Sequence, residues 1–156
     1  IRSRFSIMDD LDFMKSALAQ AEEAYHKNEV PVGAVVVLDG EIISRAHNNS
    51  LNGMDPSAHA EIEALRKAAV VIGNYRIKEA IMFVTLEPCM MCCGALVQAR
   101  LSELVYSTKD PKSGVVVSNG QLLESSFLNH KVRYRQGPLE KESSSILKQF
   151  FNAKRD

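Results

Sequence analysis

Hydrophobic residues near the start of the chain recur with the period of a helix. Apolar side chains follow one another every three or four positions between Leu11 and Tyr25, which predicts an amphipathic helix. Asp9 or Asp10 is a suitable N-cap residue for it. The pattern therefore predicts a first helix that runs from this pair of aspartates to about Lys27.

Two short apolar runs follow this helix. Residues 34–38 and 41–46 are together rich in Val and Ile, the residue types that favour strands. The Asp39-Gly40 pair between them is a strong signal for a two-residue turn. The two runs therefore predict a β-hairpin.

Helical patterns and short apolar runs alternate through the rest of the chain. Ser57 is a typical N-cap residue and Gly73 a typical helix end, which together predict a helix from Ala58 to about Ile72. Pro88 is favoured in the first turn of a further helix. The remaining predicted elements are a strand over 81–86, a helix over 89–99, a strand over 104–107, a short helix over 119–124, a strand over 132–134 and a helix over 138–154.

This order of elements predicts an α/β fold. Helices that alternate with strands cover both faces of a sheet, so we expect three α/β/α layers around a central, mixed, five-stranded sheet. The length of 156 residues fits a single domain that spans residues 1–156. Residues 1–7 are basic and precede Met8, and we expect them to form a disordered arm or an upstream remnant.

The composition argues against several protein classes. Hydrophobic residues make up 46% of the chain and charged residues 24%, which argues against disorder. No run approaches the roughly 20 apolar residues of a membrane helix, so no membrane partner is expected. The three cysteines are an odd number, and two of them are spaced as C-x-x-C. That usage favours a metal site in the reducing cytoplasm over a disulfide framework.

Charge is unevenly distributed along the chain. The net charge of zero gives no general argument for a nucleic-acid partner. Residues 1–58 hold five basic and nine acidic groups, whereas residues 131–156 hold seven basic and three acidic groups. The basic C-terminal end is a candidate for phosphate contacts, and a solvated helix face with surplus lysines is the alternative.

Two short motifs supply the ligands of a catalytic zinc site. His59 and Glu61 form the pattern H-x-E, and Pro88, Cys89 and Cys92 form the pattern P-C-x-x-C. One imidazole and two thiols are donors typical of Zn²⁺. Both motifs are predicted in the first turns of helices, whose partial positive ends favour thiolates. We therefore expect Zn²⁺ on His59, Cys89 and Cys92, with a fourth position left for water.

Glu61 is the candidate for proton transfer. The combination of H-x-E with P-C-x-x-C is the signature of zinc-dependent nucleobase deaminases. Hydrolytic deamination takes a proton from water, adds one to a ring nitrogen and releases the amine in protonated form. A carboxylate that stands beside the metal without ligating it can carry these protons. Glu61 lies two residues beyond a predicted ligand, so we assign it this catalytic role.

A structural zinc site is the alternative to a catalytic one. Structural sites have four protein ligands, and His47 or Cys93 could supply the fourth. The chain would then be an RNA-binding module with a structural zinc. C-x-x-C alone also occurs in redox dithiols, but its combination with an upstream H-x-E and a preceding proline favours the deaminase chemistry.

The segments around these motifs resemble the bacterial tRNA-specific adenosine deaminases of the cytidine deaminase-like superfamily. The resemblance runs from about Leu11 to Arg155, and the zinc motifs by themselves indicate only the superfamily. The segments that carry the narrower resemblance are 28–34, 55–61, 74–76, 84–89 with Cys92, 129–130 and 150–151.

The resemblance implies a substrate and a set of residues that bind it. Members of the family convert adenosine to inosine at the wobble position of a tRNA anticodon loop, in bacteria chiefly that of an arginine tRNA. They are homodimers with one zinc ion per subunit. The implied substrate-binding residues are Val30, Val32, Gly33, Ala34, Asn48, Leu86, Glu87, Asp110, Lys112, Asn129, His130, Phe150 and Phe151. Lys154 and Arg155, at the basic C-terminal end, are further candidates because their side chains can bind phosphates.

Some of these residues have a specific expected role. Asn48 is expected to hydrogen-bond the base, whereas Phe150 and Phe151 are either a stacking platform or part of the core. Two features depart from the family pattern: Cys93 stands where Ala is usual, and the segment 114–126 fits poorly. A guanine or nucleoside deaminase of the same superfamily remains the alternative enzyme.

Overall fold

The computed structural model describes residues 8–155, without the side chain of Arg155. The predicted arm over residues 1–7 and the phosphate contact predicted for Arg155 lie outside the described part. The elements are, in chain order, α1 (Asp10–His26), β1 (Gly33–Leu38), β2 (Glu41–His47), α2 (Ala60–Ile72), β3 (Ile81–Leu86), α3 (Met90–Gln98), β4 (Glu103–Thr108), β5 (Arg133–Gln136) and α4 (Glu140–Arg155).

The five strands form one sheet in the order β2-β1-β3-β4-β5. β1 pairs antiparallel with β2 across the hairpin and antiparallel with β3 on its other edge. β3, β4 and β5 run parallel to one another, and α3 provides the crossover between β3 and β4. The carboxyl ends of these three strands therefore share one end of the sheet. The predicted α/β fold with a mixed five-stranded sheet is confirmed.

β1 is buried on both faces and shows how the helices are layered. Val35 and Val37 pack with Phe13 of α1 on one face, whereas Ala34 and Val36 pack with residues of α2 and α3 on the other. α4 contacts α1 and β4. The first and last helices therefore cover one face of the sheet, and α2 and α3 cover the opposite face.

Gly33 allows α1 to approach β1 closely. A Cβ atom at this position would lie 2.0 Å from the carbonyl oxygen of Ala17 and 2.6 Å from the backbone nitrogen of Ala21. The N–H of Gly33 donates to the Thr85 hydroxyl group of β3 at 3.1 Å. A glycine that the sequence predicts as a wall of the base pocket is thus also required for helix–sheet packing.

Three helices begin later than predicted, and α4 does so at Glu140 instead of residue 138. α2 begins directly after His59 and α3 directly after Cys89, and these two residues are the N-caps. Ser57 does not cap α2, because its N–H and its hydroxyl group both donate to the Asp55 carboxylate. The predictions that Ser57 is the N-cap and that His59 and Cys89 lie inside first helical turns are therefore wrong.

The segment between β4 and β5 is mostly loop. A single 3-10 turn at Leu122–Glu124 stands where a short helix over 119–124 is predicted. The weak fifth strand, predicted over 132–134, is present at Arg133–Gln136, so it begins one residue later and ends two residues later than predicted. None of the helices within residues 8–155 has the length and apolar character needed to cross a membrane.

Candidate metal centre and active site

Three metal-ligating side chains meet near the carboxyl end of β3, where α2 and α3 begin. The ligand atoms of His59, Cys89 and Cys92 all lie within 4.8 Å of one another. Nδ1 of His59 is 3.6 Å from the sulfur of Cys89 and 3.6 Å from the sulfur of Cys92. The structure thus brings together the three residues that the sequence predicts as ligands.

The N-cap positions explain how two of these side chains reach the centre. His59 and Cys89 have extended backbone conformations, with φ/ψ of −72°/155° and −81°/178°, and neither side chain caps its own helix. Both side chains are therefore available to a metal ion. Cys92 joins them from the third residue of α3. The partial positive charges of the two helix N-termini favour the thiolate form of the cysteines.

The donor set fits zinc in kind and in spacing. Zn–S bonds of about 2.3 Å and Zn–N bonds of about 2.0–2.1 Å at a tetrahedral angle place nitrogen and sulfur about 3.6 Å apart. Both nitrogen–sulfur distances here have that value. Within residues 8–155 no fourth His, Cys, Asp or Glu joins the group. Three protein ligands with one open position are typical of catalytic rather than structural zinc.

Glu61 is buried beside the three ligands. It lies in the first turn of α2 and is only 4% exposed. Burial raises the pKa of its carboxyl group to about 7, and the nearby Cys89 thiolate acts in the same direction. A carboxyl group with a pKa near neutrality is suited both to accept and to release a proton at physiological pH.

The two ligand cysteines differ in acidity. A hydrogen bond from Cys92, and a further one from His59, lower the pKa of the Cys89 thiol to about 4. The pKa of Cys92 is raised, because its thiol donates to the Cys89 thiolate and is buried. Cys89 is therefore the more acidic of the two thiols, and a metal ion held here by both cysteines would have to displace the proton of Cys92.

Cys93 does not belong to the ligand group. Its side chain is fully buried in the core, and its sulfur lies 3.9 Å from the carbonyl oxygen of Pro88. Burial raises the pKa of this thiol to about 12. A protonated, buried thiol is a packing residue rather than a metal ligand.

Asn48 holds the first turn of α2. Its Oδ1 accepts a hydrogen bond from the backbone N–H of Ala60 at 2.9 Å, and so performs the capping function that the side chain of His59 does not perform. The side-chain nitrogen of Asn48 makes no hydrogen bond within residues 8–155. This group is therefore free to donate to a bound base.

The other residues predicted around the base are buried to different degrees. Val30 and Leu86 are partly buried at the border of the core. Val32 is 5% exposed and Ala34 is fully buried. The Ala34 side chain therefore lies behind the surface that a base could touch.

Glu87 organises the loop after β4 through its side chain. The residue is 2% exposed, and its carboxylate accepts hydrogen bonds of 2.8–3.0 Å from the backbone N–H groups of Asp110, Val116, Val117 and Ser118. The Ser118 hydroxyl group also donates to it. Burial raises the pKa of Glu87, but the hydrogen bonds from Ser118 and Val117 outweigh it, so the pKa is lowered. The charged carboxylate thus fixes a loop that the sequence predicts near the substrate.

Glu29 fixes the loop after β2 in the same way. It is 3% exposed and accepts hydrogen bonds from the backbone N–H groups of Leu51 and Asn52, at 3.1 and 2.6 Å. The Asn52 side-chain amide donates to it at 2.7 Å. Burial raises the pKa of Glu29, and the hydrogen bonds from Asn52 and Leu51 lower it further than burial raises it. This role of Glu29 is not predicted from the sequence, where the only signal is the residue's place in the segment 28–34 that resembles the family.

Glu87→Gln is expected to destabilise the protein by about 2 to 3 kcal/mol, because a neutral amide replaces a buried carboxylate that accepts several hydrogen bonds. The free energy of unfolding in urea measures this effect. Glu142→Gln, at an exposed position of α4, is the matched control and should change stability by less than about 0.5 kcal/mol.

The effect of Glu87→Gln should depend on pH. The pKa of Glu87 in the folded protein is lower than its ordinary value of 4.5. The charged group therefore contributes its full stability above that pH, and the contribution is lost as the pH falls through the folded pKa. The difference between wild type and variant should accordingly shrink in acid. A difference that stays constant from neutral to strongly acidic pH would contradict the charged role.

The residues predicted at the end of α4 make packing contacts. Phe150 is 8% exposed and packs edge-on against Tyr25, whereas Phe151 is 46% exposed. The Lys154 ammonium group donates to the side-chain oxygen of Asn28. The end of α4 is therefore attached to the loop that leads into β1, and only Phe151 of the aromatic pair is available for stacking.

Two further pairs of predicted residues lie in different places. Asp110 and Lys112 share the loop that follows β4, where the Asp110 carboxylate accepts from the Lys112 N–H at 3.1 Å. Asn129 and His130 precede β5 and so lie at the amino ends of the parallel strands. The His130 ring nitrogen Nε2 lies 2.8 Å from the Leu101 carbonyl oxygen. The second pair is at the end of the sheet opposite the metal ligands.

Comparisons with known proteins find deaminases among the relatives of this chain. A family model described as MafB19-like deaminase matches residues 8–155. The tRNA-specific adenosine deaminase of Aquifex aeolicus is 44% identical over 144 residues, which are 92% of this chain and 95% of the relative.

Solved structures show the same fold. A structure from a study of A-to-I editing by tRNA:A34 deaminases at the wobble position of transfer RNA matches with a TM-score of 0.85 and 40% identity, over 87% of this chain and 99% of that one. The guanine deaminase of Bacillus subtilis matches with a TM-score of 0.65 and 30% identity, over 95% and 94% of the two chains.

Proposed function

The chain belongs to the tRNA-specific adenosine deaminases, and from that premise we propose that it converts adenosine to inosine at the wobble position of a tRNA anticodon loop. The observation that carries the proposal is the three-ligand group of His59, Cys89 and Cys92 with Glu61 buried beside it. We propose one zinc ion per chain, because the donors and their spacing fit it.

An arginine tRNA is the proposed substrate. The proposed compartment is the cytoplasm, where thiols stay reduced.

Glu61 carries protons through the whole reaction. Zinc at the three ligands supplies the Lewis acidity that makes water a nucleophile near neutral pH. Glu61 takes a proton from the water that attacks C6 of adenine and delivers one to the adjacent ring nitrogen. It then takes the second proton of that water and passes it to the departing amino group. Adenosine and water thus give inosine and ammonia, and the carboxylate returns to its starting form.

Asn48→Asp separates base binding from helix capping. The aspartate retains the oxygen that accepts from the Ala60 N–H but lacks the N–H₂ group proposed to donate to the purine. We expect kcat/KM for tRNA to fall about tenfold, the equivalent of one hydrogen bond, while the melting temperature is retained. Asn49→Asp adds the same charge one residue away and is the control. Unchanged kcat/KM in Asn48→Asp would contradict the proposed contact.

We also propose that the chain acts as a homodimer. Several large apolar side chains of α2 and α3 are exposed to solvent. Val70 is 82% exposed, Val71 is 62% exposed and Met90 is 70% exposed. Exposed apolar surface of this kind is typical of a protein interface. Sedimentation equilibrium should give twice the chain mass, and a mass of one chain at micromolar concentration would contradict the dimer.

Ammonia release from four substrates tests the reaction and its main rival. The protein is incubated with a tRNA that carries adenine at the wobble position, and separately with adenosine, adenine and guanine. We expect release from the tRNA and none from the small molecules, whereas the same tRNA with guanine at that position is the negative control. The similarity to a guanine deaminase makes release from free guanine alone the result that would overturn the proposal. Release from no substrate by zinc-loaded protein would instead support an RNA-binding module.

A further inference from the structure

A second groove lies at the end of the sheet where the parallel strands begin. It has a volume of about 460 Å³ and is open to solvent. Lys78 comes from the segment before β3, Arg100 from the segment before β4, and Lys131 and Arg133 from the start of β5. The topology therefore gathers four basic side chains from three separate stretches of the chain into one groove.

The positive charge of this groove is mostly not neutralised. Glu79 is the one acidic residue that lines it, in a chain whose net charge is zero. Lys131 pairs with Glu124 at 3.1 Å, but both side chains are at least half exposed, and such pairs are weak. The Lys78 side chain makes no hydrogen bond or ion pair within residues 8–155. The groove thus presents donors without matching acceptors.

The remaining two cations are held by neutral oxygen atoms. Arg100 donates to the carbonyl oxygen of Val97 at 2.9 Å, and Arg133 donates to the hydroxyl group of Ser102 at 3.4 Å. Neither guanidinium group has a carboxylate partner within residues 8–155. A guanidinium group oriented in this way retains its charge and further N–H groups for an anion.

The groove is separate from the metal centre. β3 runs from the groove to the metal ligands, and its six residues span about 20 Å at roughly 3.3 Å per residue. A nucleotide bound at the metal ligands therefore cannot also occupy the groove. A larger nucleic acid, whose backbone extends well beyond the reacting nucleotide, can reach both.

We propose that this groove binds phosphate groups of the RNA backbone away from the nucleotide that is deaminated. Lys and Arg side chains contact phosphates without reading sequence, and structured RNA is recognised largely through its backbone. The inference rests on the proposed function, since it takes tRNA as the ligand. The groove increases the affinity for tRNA, and it takes no part in the chemistry at the metal.

The salt dependence of tRNA binding tests this proposal. The dissociation constant of intact tRNA is measured over a series of salt concentrations for wild type and for Lys78→Ala/Arg133→Ala. Each lost phosphate contact lowers the slope of log K against log salt by about 0.7 to 0.9, so the double variant should lower it by about 1.4 to 1.8. The control is Lys15→Ala/Arg45→Ala, which removes the same charges at exposed positions outside the groove.

Catalysis separates failure of the inference from failure of the proposed function. Deamination by the groove variant at saturating tRNA should equal that of wild type, with melting temperature unchanged. A salt slope that is the same in the groove variant as in wild type, when the wild type deaminates tRNA, would overturn the groove alone. An equal decrease in the control variant would overturn it as well. A wild type that does not deaminate tRNA would overturn the proposed function. Inorganic phosphate that binds to the wild type and not to the groove variant, without lowering the affinity for tRNA, would assign the groove to small anions. That result would overturn the RNA role.

Discussion

Glu61→Gln is expected to lower the rate of adenosine deamination by about 10² to 10⁴-fold, the range that a general acid–base group contributes. Glutamine has nearly the same size and fits the same buried position, but it cannot accept and release a proton. Because Glu61 is not one of the three ligands, the metal content should remain that of the wild type. Ammonia release in single-turnover experiments measures the rate, and elemental analysis measures the zinc.

Glu63→Gln is the control for this substitution. Glu63 lies two residues further along the same helical turn and is not part of the metal group, so its replacement should leave the rate within about twofold of wild type. A Glu61→Gln variant with wild-type activity would remove Glu61 from the mechanism. A variant that loses zinc as well as activity would show that Glu61 binds the metal instead of transferring protons.

Cys92→Ala is expected to lose both the metal and the activity. The substitution removes one of only three protein ligands within residues 8–155, and the two that remain, His59 and Cys89, cannot form the three-ligand arrangement that catalytic zinc requires. After dialysis, zinc content should fall from one ion per chain to nearly none. Activity should then match that of wild type treated with a chelator, and added zinc should restore the treated wild type but not the variant.

Cys93→Ala is the matched control, because it removes a thiol from the next position of the same helix. Cys93 is fully buried and lies outside the ligand group, so zinc and activity should be retained, with a small decrease in melting temperature. Loss of zinc from Cys93→Ala, or its retention by Cys92→Ala, would mean that the ligands are assigned incorrectly.

The sequence predicts the sheet and the ligands because both depend on local pattern. The strand over 81–86 is found with the predicted bounds, since a continuous apolar run between polar segments indicates a buried strand. The ligands His59, Cys89 and Cys92 are close in sequence to their helix starts, and helix starts that follow parallel strands gather at one end of a sheet. Residue type and spacing were therefore sufficient to predict that the three side chains converge.

The exact helix starts were not predictable from the same local rules. Ser57 is a favourable N-cap residue by type, yet its hydrogen bonds go to Asp55, while Asn48 supplies the hydrogen bond at the start of α2. The cap comes from a residue twelve positions earlier in the chain. Sequence propensity describes neighbours along the chain and does not include such a contact.

Glu29 and Glu87 show the same limit at the candidate site. Acidic residues are rarely buried. By residue type alone, Glu29 and Glu87 would therefore be expected at the protein surface or in the lining of a pocket. Each is buried because several backbone N–H groups of a distant loop converge on its carboxylate. The partners lie more than twenty residues away in sequence, and only the folded chain shows which loops the carboxylates hold.

Sequencing of tRNA after incubation with the protein tests the central claim most directly. Inosine is read as guanosine, so conversion appears as a change from A to G. We expect that change at the wobble position of a tRNA that carries adenine there, with wild-type protein and not with Glu61→Gln. The absence of any change with zinc-loaded wild type, or changes spread over adenosines outside the anticodon loop, would contradict the assignment of this chain as a deaminase of the wobble adenosine.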